Sequence, residues 1–270
     1  MSTLTMTAPR PVTLHIGPSK ALRHALALAG RSVAKIRKNP ETLIDVTLQP
    51  IIFLVLFVYL FGGAVAGDAT AYLQVLLPGL MVQNTAFASM GTGMALNTDI
   101  TKGVFDRFRS LPIARSAPLV GAVLGDVVRL LVALAVLLIT AVVMGFRVHT
   151  DPVSFLIAVI LMVAFGLCLC WVAVWVGMLV KSPGAVPGTL VGFMFPLTFG
   201  SNVFVSPSTL PGWLQGWVNI NPVSHLASAA RGLLLGGDWA AHAGWAFLWA
   251  VGITAVFMPL ALRAYKRRVG

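Results

Sequence analysis

Charge is what this chain has least of. Only 10% of its 270 residues are Asp, Glu, Lys or Arg, against about 25% in soluble domains. Hydrophobic residues make up 58%, and the mean hydropathy is +0.90. This excludes an ordinary water-soluble domain and makes lipid the solvent. Acid is the scarcer sign, with eight Asp and Glu against nineteen Lys and Arg and a net charge of +11. Such a surplus suits nucleic acid when it forms one patch. Here the basic residues sit in the gaps between apolar runs, so no nucleic-acid partner is expected. Cysteine is limited to Cys168 and Cys170, inside an apolar run. A C-x-C pair points to different helix faces and nothing nearby completes a metal site, so both read as packing. No basic, apolar and small-residue signal opens the chain, because the first long apolar run starts near Ile44.

Catalytic motifs are missing as well. The sequence has no G-x-x-x-x-G-K-[ST] phosphate loop, no H-E-x-x-H, no G-x-S-x-G and no carboxylates paired at catalytic spacing. The chain is therefore expected not to be an enzyme and to bind no cofactor or metal of its own. Its five histidines, His15, His24, His149, His225 and His242, do not cluster in sequence. His149 and His242 are the pair expected to approach each other on the outer side.

What the chain does have is long apolar runs. A bilayer core of about 30 Å needs about 20 apolar residues in a helix. Six runs qualify: 44–66, 72–97, 117–145, 153–180, 186–204 and 244–262. No change in composition separates a second domain, so residues 1–270 read as one all-α integral membrane domain with six transmembrane helices. Lys and Arg accumulate on cytoplasmic flanks. The N-terminal stretch carries seven, the gap after the second run has Lys102, Arg107, Arg109 and Arg115, Lys181 follows the fourth, and Arg263, Lys266, Arg267 and Arg268 lie in the tail. The opposite side has only Arg147 and Arg231, which makes sixteen against two. Both termini are expected in the cytoplasm, in a multi-pass protein of the cell membrane.

Three segments are neither plain span nor plain loop. From Lys20 to Lys38, at about 100° per residue, Leu22, Ala25, Leu26, Ala29, Val33 and Ile36 fall on one face. Lys20, His24, Arg31, Lys35 and Lys38 lie opposite. Residues 20–39 therefore read as an interfacial helix, with its apolar face in lipid and its basic face on anionic headgroups. Asn39-Pro40 ends it. It serves either as an anchor alone or also as a contact for a cytoplasmic partner. Residues 98–115 form a compact basic stretch carrying Phe105, Phe108 and Leu111, which reads as a short amphipathic helix facing the cytoplasm. Between the fifth and sixth runs, Pro196, Pro207, Pro211, Gly212 and Pro222 break an apolar, aromatic segment that carries Trp213 and Trp217. A second short helix follows Asn221-Pro222 and stops at Gly236-Gly237. Residues 205–235 read as two re-entrant helices in the outer leaflet, because broken backbone at membrane depth must be buried in protein or line a cavity.

Asp126 and Arg129 lie three apart in the third run, on one helix face. Charges in lipid usually pair or face the bundle interior. One reading is a structural ion pair; the other is a proton or substrate site, which a secondary transporter would need.

Taken together, the chain resembles the membrane subunits of ABC-2 type exporters, among them the daunorubicin/doxorubicin-resistance drug-export permeases. The resemblance covers nearly everything after residue 20. It rests on Asn39-Pro-Glu-Thr-Leu-Ile-Asp45, Leu60-Phe-Gly-Gly63, Lys102-Gly-Val-Phe-Asp-Arg-Phe-Arg-Ser-Leu-Pro112, Gly125-Asp-Val-Val-Arg129, Leu210-Pro-Gly-Trp-Leu-Gln215, Asn221-Pro-Val-Ser-His225 and Ala230-Arg-Gly-Leu-Leu234, in that order.

The resemblance implies a connecting helix (Arg31, Lys35, Arg37, Lys38, Glu41). It implies a coupling helix that docks on a partner (Lys102, Gly103, Val104, Phe105, Asp106, Arg107, Phe108, Arg109, Leu111, Pro112). It also implies an outer gate with Pro211, Trp213, Asn221, Pro222 and Arg231. The implied assembly is a dimer with a second copy or a paralogue, bound to two copies of a separate P-loop ATPase that carries ATP and Mg. The implied cargo is a hydrophobic or amphipathic small molecule or a lipid. In one place the chain departs from the pattern. Where relatives often have an acid a few positions before the arginine matched by Arg231, it has Ala227-Ser228, leaving Asp238 as the substitute to test. The competing readings are a proton-coupled transporter using Asp126, an exporter of polysaccharide or lipid-linked glycan, and a membrane scaffold that transports nothing.

Overall fold

The computed structural model describes residues 40–104, 117–205 and 207–269, together with single helical positions at 23, 27 and 30. The side chains of 40–46, 66, 117 and 269 are outside that description. The described residues form eight α-helices and no strand. They are α1 (Pro40–Ala66), α2 (Ala69–Thr101), α3 (Ala117–Val143), α4 (Pro152–Leu179), α5 (Ala185–Phe199), α6 (Gly212–Ile220), α7 (Pro222–Leu235) and α8 (Ala240–Val269), with a short 3₁₀ turn at Pro207–Thr209. Most of the interfacial helix expected at 20–39, including Arg31, Lys35, Arg37 and Lys38, lies outside the described residues. So do Phe105, Asp106, Arg107, Phe108, Arg109, Leu111 and Pro112.

Four helices contain a stretch long and apolar enough to cross a membrane: Thr47–Val65, Pro118–Val143, Pro152–Leu179 and Ala240–Arg268. The other two expected spans differ in instructive ways. Helix α2 has 33 residues, about 50 Å at 1.5 Å per residue, and is long enough to span. Its hydropathy is lowered by Gln83, Thr85, Ser89, Thr92 and Asn97, but all five are buried. Polar groups on the inner face of a bundle do not meet lipid, and Thr85 and Ser89 return their hydroxyls to the Met81 and Ala86 carbonyls. Helix α5 has only 15 residues, about 22 Å by the same rise. The run expected at 186–204 stops at Phe199 because Pro196 lies inside the helix and Gly200 caps it. Residues 201–205 then continue without helix.

The helix starts follow local chemistry. Proline opens α1, α4 and α7, where its missing N–H costs nothing and its φ suits the first turn. Asp151 caps α4 by accepting from the Val153 and Ser154 amides. Hydrogen bonds from the Ser154 hydroxyl and then the backbone hold its carboxyl below the usual range. Asp68 caps α2 through the Ala71 amide at 3.0 Å. Helix α2 ends later than the second run, at Thr101, in a turn where Gly103 takes φ +68°. That left-handed conformation favours glycine.

α2 is the hub of the bundle and packs on α4, α1, α3, α7 and α5, while α8 lies against α4 and α7. At the α2–α4 crossing the backbones touch. A methyl on Gly93 would overlap the Ala173 carbonyl, and one on Gly177 would lie 2.5 Å from the Gly93 carbonyl oxygen. Small residues at a helix crossing permit this approach in lipid. Gly93→Ala is therefore expected to cost about 1–3 kcal/mol, the usual penalty for overfilling a packed interface. It should show as a lower thermal unfolding temperature of the detergent-solubilised protein.

Candidate functional site

The residues singled out in the sequence fall into three places: a basic end, a buried charge pair and an opposite end built around α5–α7.

At the basic end only Lys102, Gly103 and Val104 of the coupling segment are described. Lys102 is exposed, and the other two are half-buried. Directly above them the last turn of α4 is held from two sides. Asn97 of α2 donates through Nδ2 to the Gly177 and Val180 carbonyls, both at 2.7 Å. Arg268 of α8 donates through Nη1 to Gly177, Met178 and Val180 at 2.8, 2.9 and 2.7 Å, and through Nη2 to Lys181. The last carbonyls of a helix have no partner within the helix, and here two other helices supply the donors. This tie joins the end of α2, which leads into residues 102–112, to the ends of α4 and α8. Arg268 reads in the sequence only as one more orientation charge. No signal there foretells a bond across about ninety residues.

Within the bundle, Asp126 and Arg129 form a buried ion pair of 3.0 Å. Arg129 Nη2 also donates to the Ala88 carbonyl at 2.6 Å and reaches Thr92 Oγ1 at 3.4 Å. The Cys170 thiol faces the Asp126 carboxylate at 3.6 Å, and the Thr92 hydroxyl faces the Cys170 sulfur at 3.4 Å. The pair thus ties α3 to both α2 and α4. Gly91 makes room for it, since a Cβ there would overlap the guanidinium.

At the opposite end α6 and α7 are two short helices, as the proline pattern anticipates. Trp213 and Trp217 of α6 are exposed, at 79% and 48%. Pro211 starts α6, and Asn221 ends α6 and begins α7. The buried Asn221 side chain bonds on both sides. Its Oδ1 accepts from the Val223 amide at 2.9 Å, and its Nδ2 donates to Leu197 and Gly200 at 2.8 and 3.0 Å. It therefore caps α7 and satisfies the frayed end of α5 together, with Pro222 at the first helical position. Asn221→Ala removes a cap, worth about 0.5–2 kcal/mol, and leaves buried carbonyls unpaired, at about 1–3 kcal/mol each. A loss of about 3 kcal/mol in SDS-titrated unfolding is expected, with Asn221→Asp recovering the cap alone.

Beneath α7 lies a cavity of about 510 Å³. Its walls include Val75, Phe204 and Val218, and its polar groups include Tyr72, Asn202 and Arg231. Phe204 closes one side, stacked between Phe57 of α1 and Phe199 of α5 with ring centroids 4.7 and 5.1 Å away. The Arg231 guanidinium reaches across to backbone. Nε donates to the Val75 carbonyl at 3.1 Å, and Nη2 donates to the carbonyls of Asn202 and Val203, the latter at 2.9 Å. Among the described residues no carboxylate pairs with it, and Asp238 is exposed beyond the end of α7. Three carbonyls, not the substitute Asp238, hold the guanidinium. The ring that stands against His242 is His225, Nδ1 to Nδ1 3.3 Å, while the His149 amide donates to Leu234.

The ABC-2 type transporter profile matches residues 23–235. The chain belongs to the ABC-2 type transporter family. It is 42% identical over 240 residues to the daunorubicin resistance ABC transporter permease protein DrrB1 of Streptomyces coeruleorubidus, covering 88% of this chain and 84% of that one. It is 32% identical over 219 residues to the doxorubicin resistance ABC transporter permease protein DrrB of Mycobacterium tuberculosis, covering 78% and 75%. The putative transport permease ycf38 of Porphyra purpurea is 24% identical over 220 residues, covering 79% and 74%. An ABC-2 permease is a membrane protein, which agrees with the apolar helices. The first two of these matches, both above 30% identity, cover most of both chains, so the kinship holds across the fold rather than at one motif.

Proposed function

We propose that this ABC-2 permease is the membrane-spanning subunit of an ATP-driven exporter, and that it moves a hydrophobic or amphipathic compound, drug-like or lipid, out of the cell. ATP and Mg belong to a separate P-loop ATPase present in two copies, and the permease works as a dimer with a second copy or a paralogue. In this reading the basic end faces the cytoplasm, α1, α2, α3, α4, α5 and α8 are the six spans, and α6 and α7 form the re-entrant outer gate.

One observation carries the reading. A family permease without a phosphate loop ends α2, the longest described helix, in a turn at Lys102 and Gly103, where the basic, aromatic segment 102–112 begins. Energy has to enter such a chain from outside, and that segment is where a soluble partner can push. Closure of the ATPases on ATP would displace residues 103–112 and tilt α1, α2 and α5, opening a path at the dimer interface. ATP biases the permease only through its differential effect on the two states, so the docking contact must be tight. Relatives named for daunorubicin and doxorubicin resistance support an amphipathic cargo, as do spans rich in Ala, Val, Leu and Gly.

The decisive experiment is affinity purification of the tagged permease in a mild detergent, with bound proteins identified by mass spectrometry. A stoichiometric P-loop ATPase, with vanadate-sensitive transport by the complex, is the expected result. A permease that is functional in cells yet purifies alone, and whose transport ignores vanadate, would overturn the proposal in favour of proton coupling through Asp126.

A further inference from the structure

The cavity beneath α7 holds the positive charge of Arg231 with no counter-charge, since its lining includes no Asp or Glu among the described residues. The carbonyls of Val75, Asn202 and Val203 orient the Arg231 guanidinium. Being neutral, they leave this half-buried guanidinium without a counter-ion, and a charge partly removed from water favours a partner of opposite sign. The third nitrogen, Nη1, donates to no described residue. One turn earlier on α7, Ser228 accepts from Asn202 Nδ2 at 2.8 Å, and Asn202 Oδ1 is buried without a partner. The one free nitrogen of a carbonyl-held guanidinium and apolar walls thus share a space of about 510 Å³, within the size range of small-molecule sites, about 300–1,000 Å³.

We propose that this cavity binds the head of an anionic amphiphile, a carboxylate or phosphate group on an apolar body, with Arg231 as its charge partner. With Nε and Nη2 bonded to carbonyls, Nη1 is the nitrogen left to donate to either anion, in a charge-assisted bond. The apolar body lies along Val75, Phe204 and Val218. The assignment rests on the permease reading above and gives this one site, not the whole transport path, a preference for one sign of charge. The same chemistry serves a resident acidic lipid or an exported acidic compound. A cationic amphiphile meets Arg231 as a like charge in a poorly screened site.

The test compares dodecyl phosphate with dodecyltrimethylammonium, which share a tail and differ in head charge. Each is titrated calorimetrically into the full-length protein in dodecyl maltoside micelles. The anion is expected to bind at least tenfold more tightly. Ser228→Asp places a carboxylate three residues before Arg231, on the same face, and keeps an acceptor for Asn202. It is expected to abolish the tenfold preference, while Ser228→Asn, equally large and uncharged, retains it. Arg231→Lys keeps the charge but loses the hold on the three carbonyls, and is expected to preserve the sign preference with weaker binding. Mass spectrometry after detergent exchange separates the sources. An acidic lipid that stays bound marks a resident, and a cavity that exchanges the probe freely marks a cargo site. Equal affinity for the two probes, or a preference that survives Ser228→Asp in folded protein, would overturn the proposal. Binding here needs no ATPase, so failure of this test leaves the exporter reading standing, and failure to find a partner ATPase leaves this site standing.

Discussion

Asp126→Ala is expected to destabilise the protein by about 3–5 kcal/mol, whereas replacing Asp126 and Arg129 together by leucine should be neutral or stabilise by about 1–4 kcal/mol. The asymmetry follows from where the pair sits. Both side chains are more than nine-tenths buried, 3.0 Å apart, in a helix that otherwise presents apolar residues. Removing the carboxylate alone leaves a guanidinium whose remaining partners are the Ala88 carbonyl and the Thr92 hydroxyl, with Nε unpaired. Removing both charges lets apolar side chains fill the space between α2, α3 and α4. SDS-titrated unfolding of the three proteins gives the comparison. The same series bears on mechanism. Asp126→Asn keeps the size and loses the charge, so a proton-coupled carrier would lose all transport. An ATP-driven exporter retains transport in proportion to its folded fraction. If the double leucine variant proves as unstable as Asp126→Ala, the pair is a net stabiliser and this account of it is wrong.

The second large effect concerns coupling. Replacing Asp106 and Arg107 together by alanine is expected to cut export at least tenfold and return the partner's ATP hydrolysis to its basal rate, with the amount of permease in the membrane unchanged. Orientation is not at risk, because sixteen Lys and Arg stand against two and the variant removes one of the sixteen. A segment that served orientation alone would need its charges and have no use for Phe105, Phe108 and Leu111. Loss of export with normal membrane level and a weakened complex on purification would therefore place the docking contact between Gly103 and Pro112. Undiminished export would remove the coupling role from this segment.

The two variants probe opposite kinds of information. Much of the molecule is legible in the chain. Long apolar runs separated by Lys and Arg mark α1, α3, α4 and α8, because lipid and water sort residues by composition alone. Proline and glycine mark the breaks on either side of α6 and α7, because they limit backbone torsions wherever they occur. The ion pair of Asp126 and Arg129 is legible from spacing, since residues three apart share a helix face.

Other features depended on helices meeting in space. The run at 72–97 reads as one more apolar span, and only the structure shows that its polar residues Gln83, Thr85, Ser89, Thr92 and Asn97 are buried within the bundle. The fifth run looks long enough until Pro196 and Gly200 end it at Phe199. Arg268 reads as a topology charge, yet together with Asn97 it caps α4. The sequence leaves Arg231 without the acid that relatives often carry before the matching arginine, and the fold answers with carbonyls from residues 75, 202 and 203. By itself the sequence determined that this is a multi-span helical membrane protein with a basic end, because composition and backbone restriction are local. Only the tertiary structure decided which polar groups pair and where an uncompensated charge meets a cavity, because hydrogen bonds and packing join residues that sequence separation does not relate.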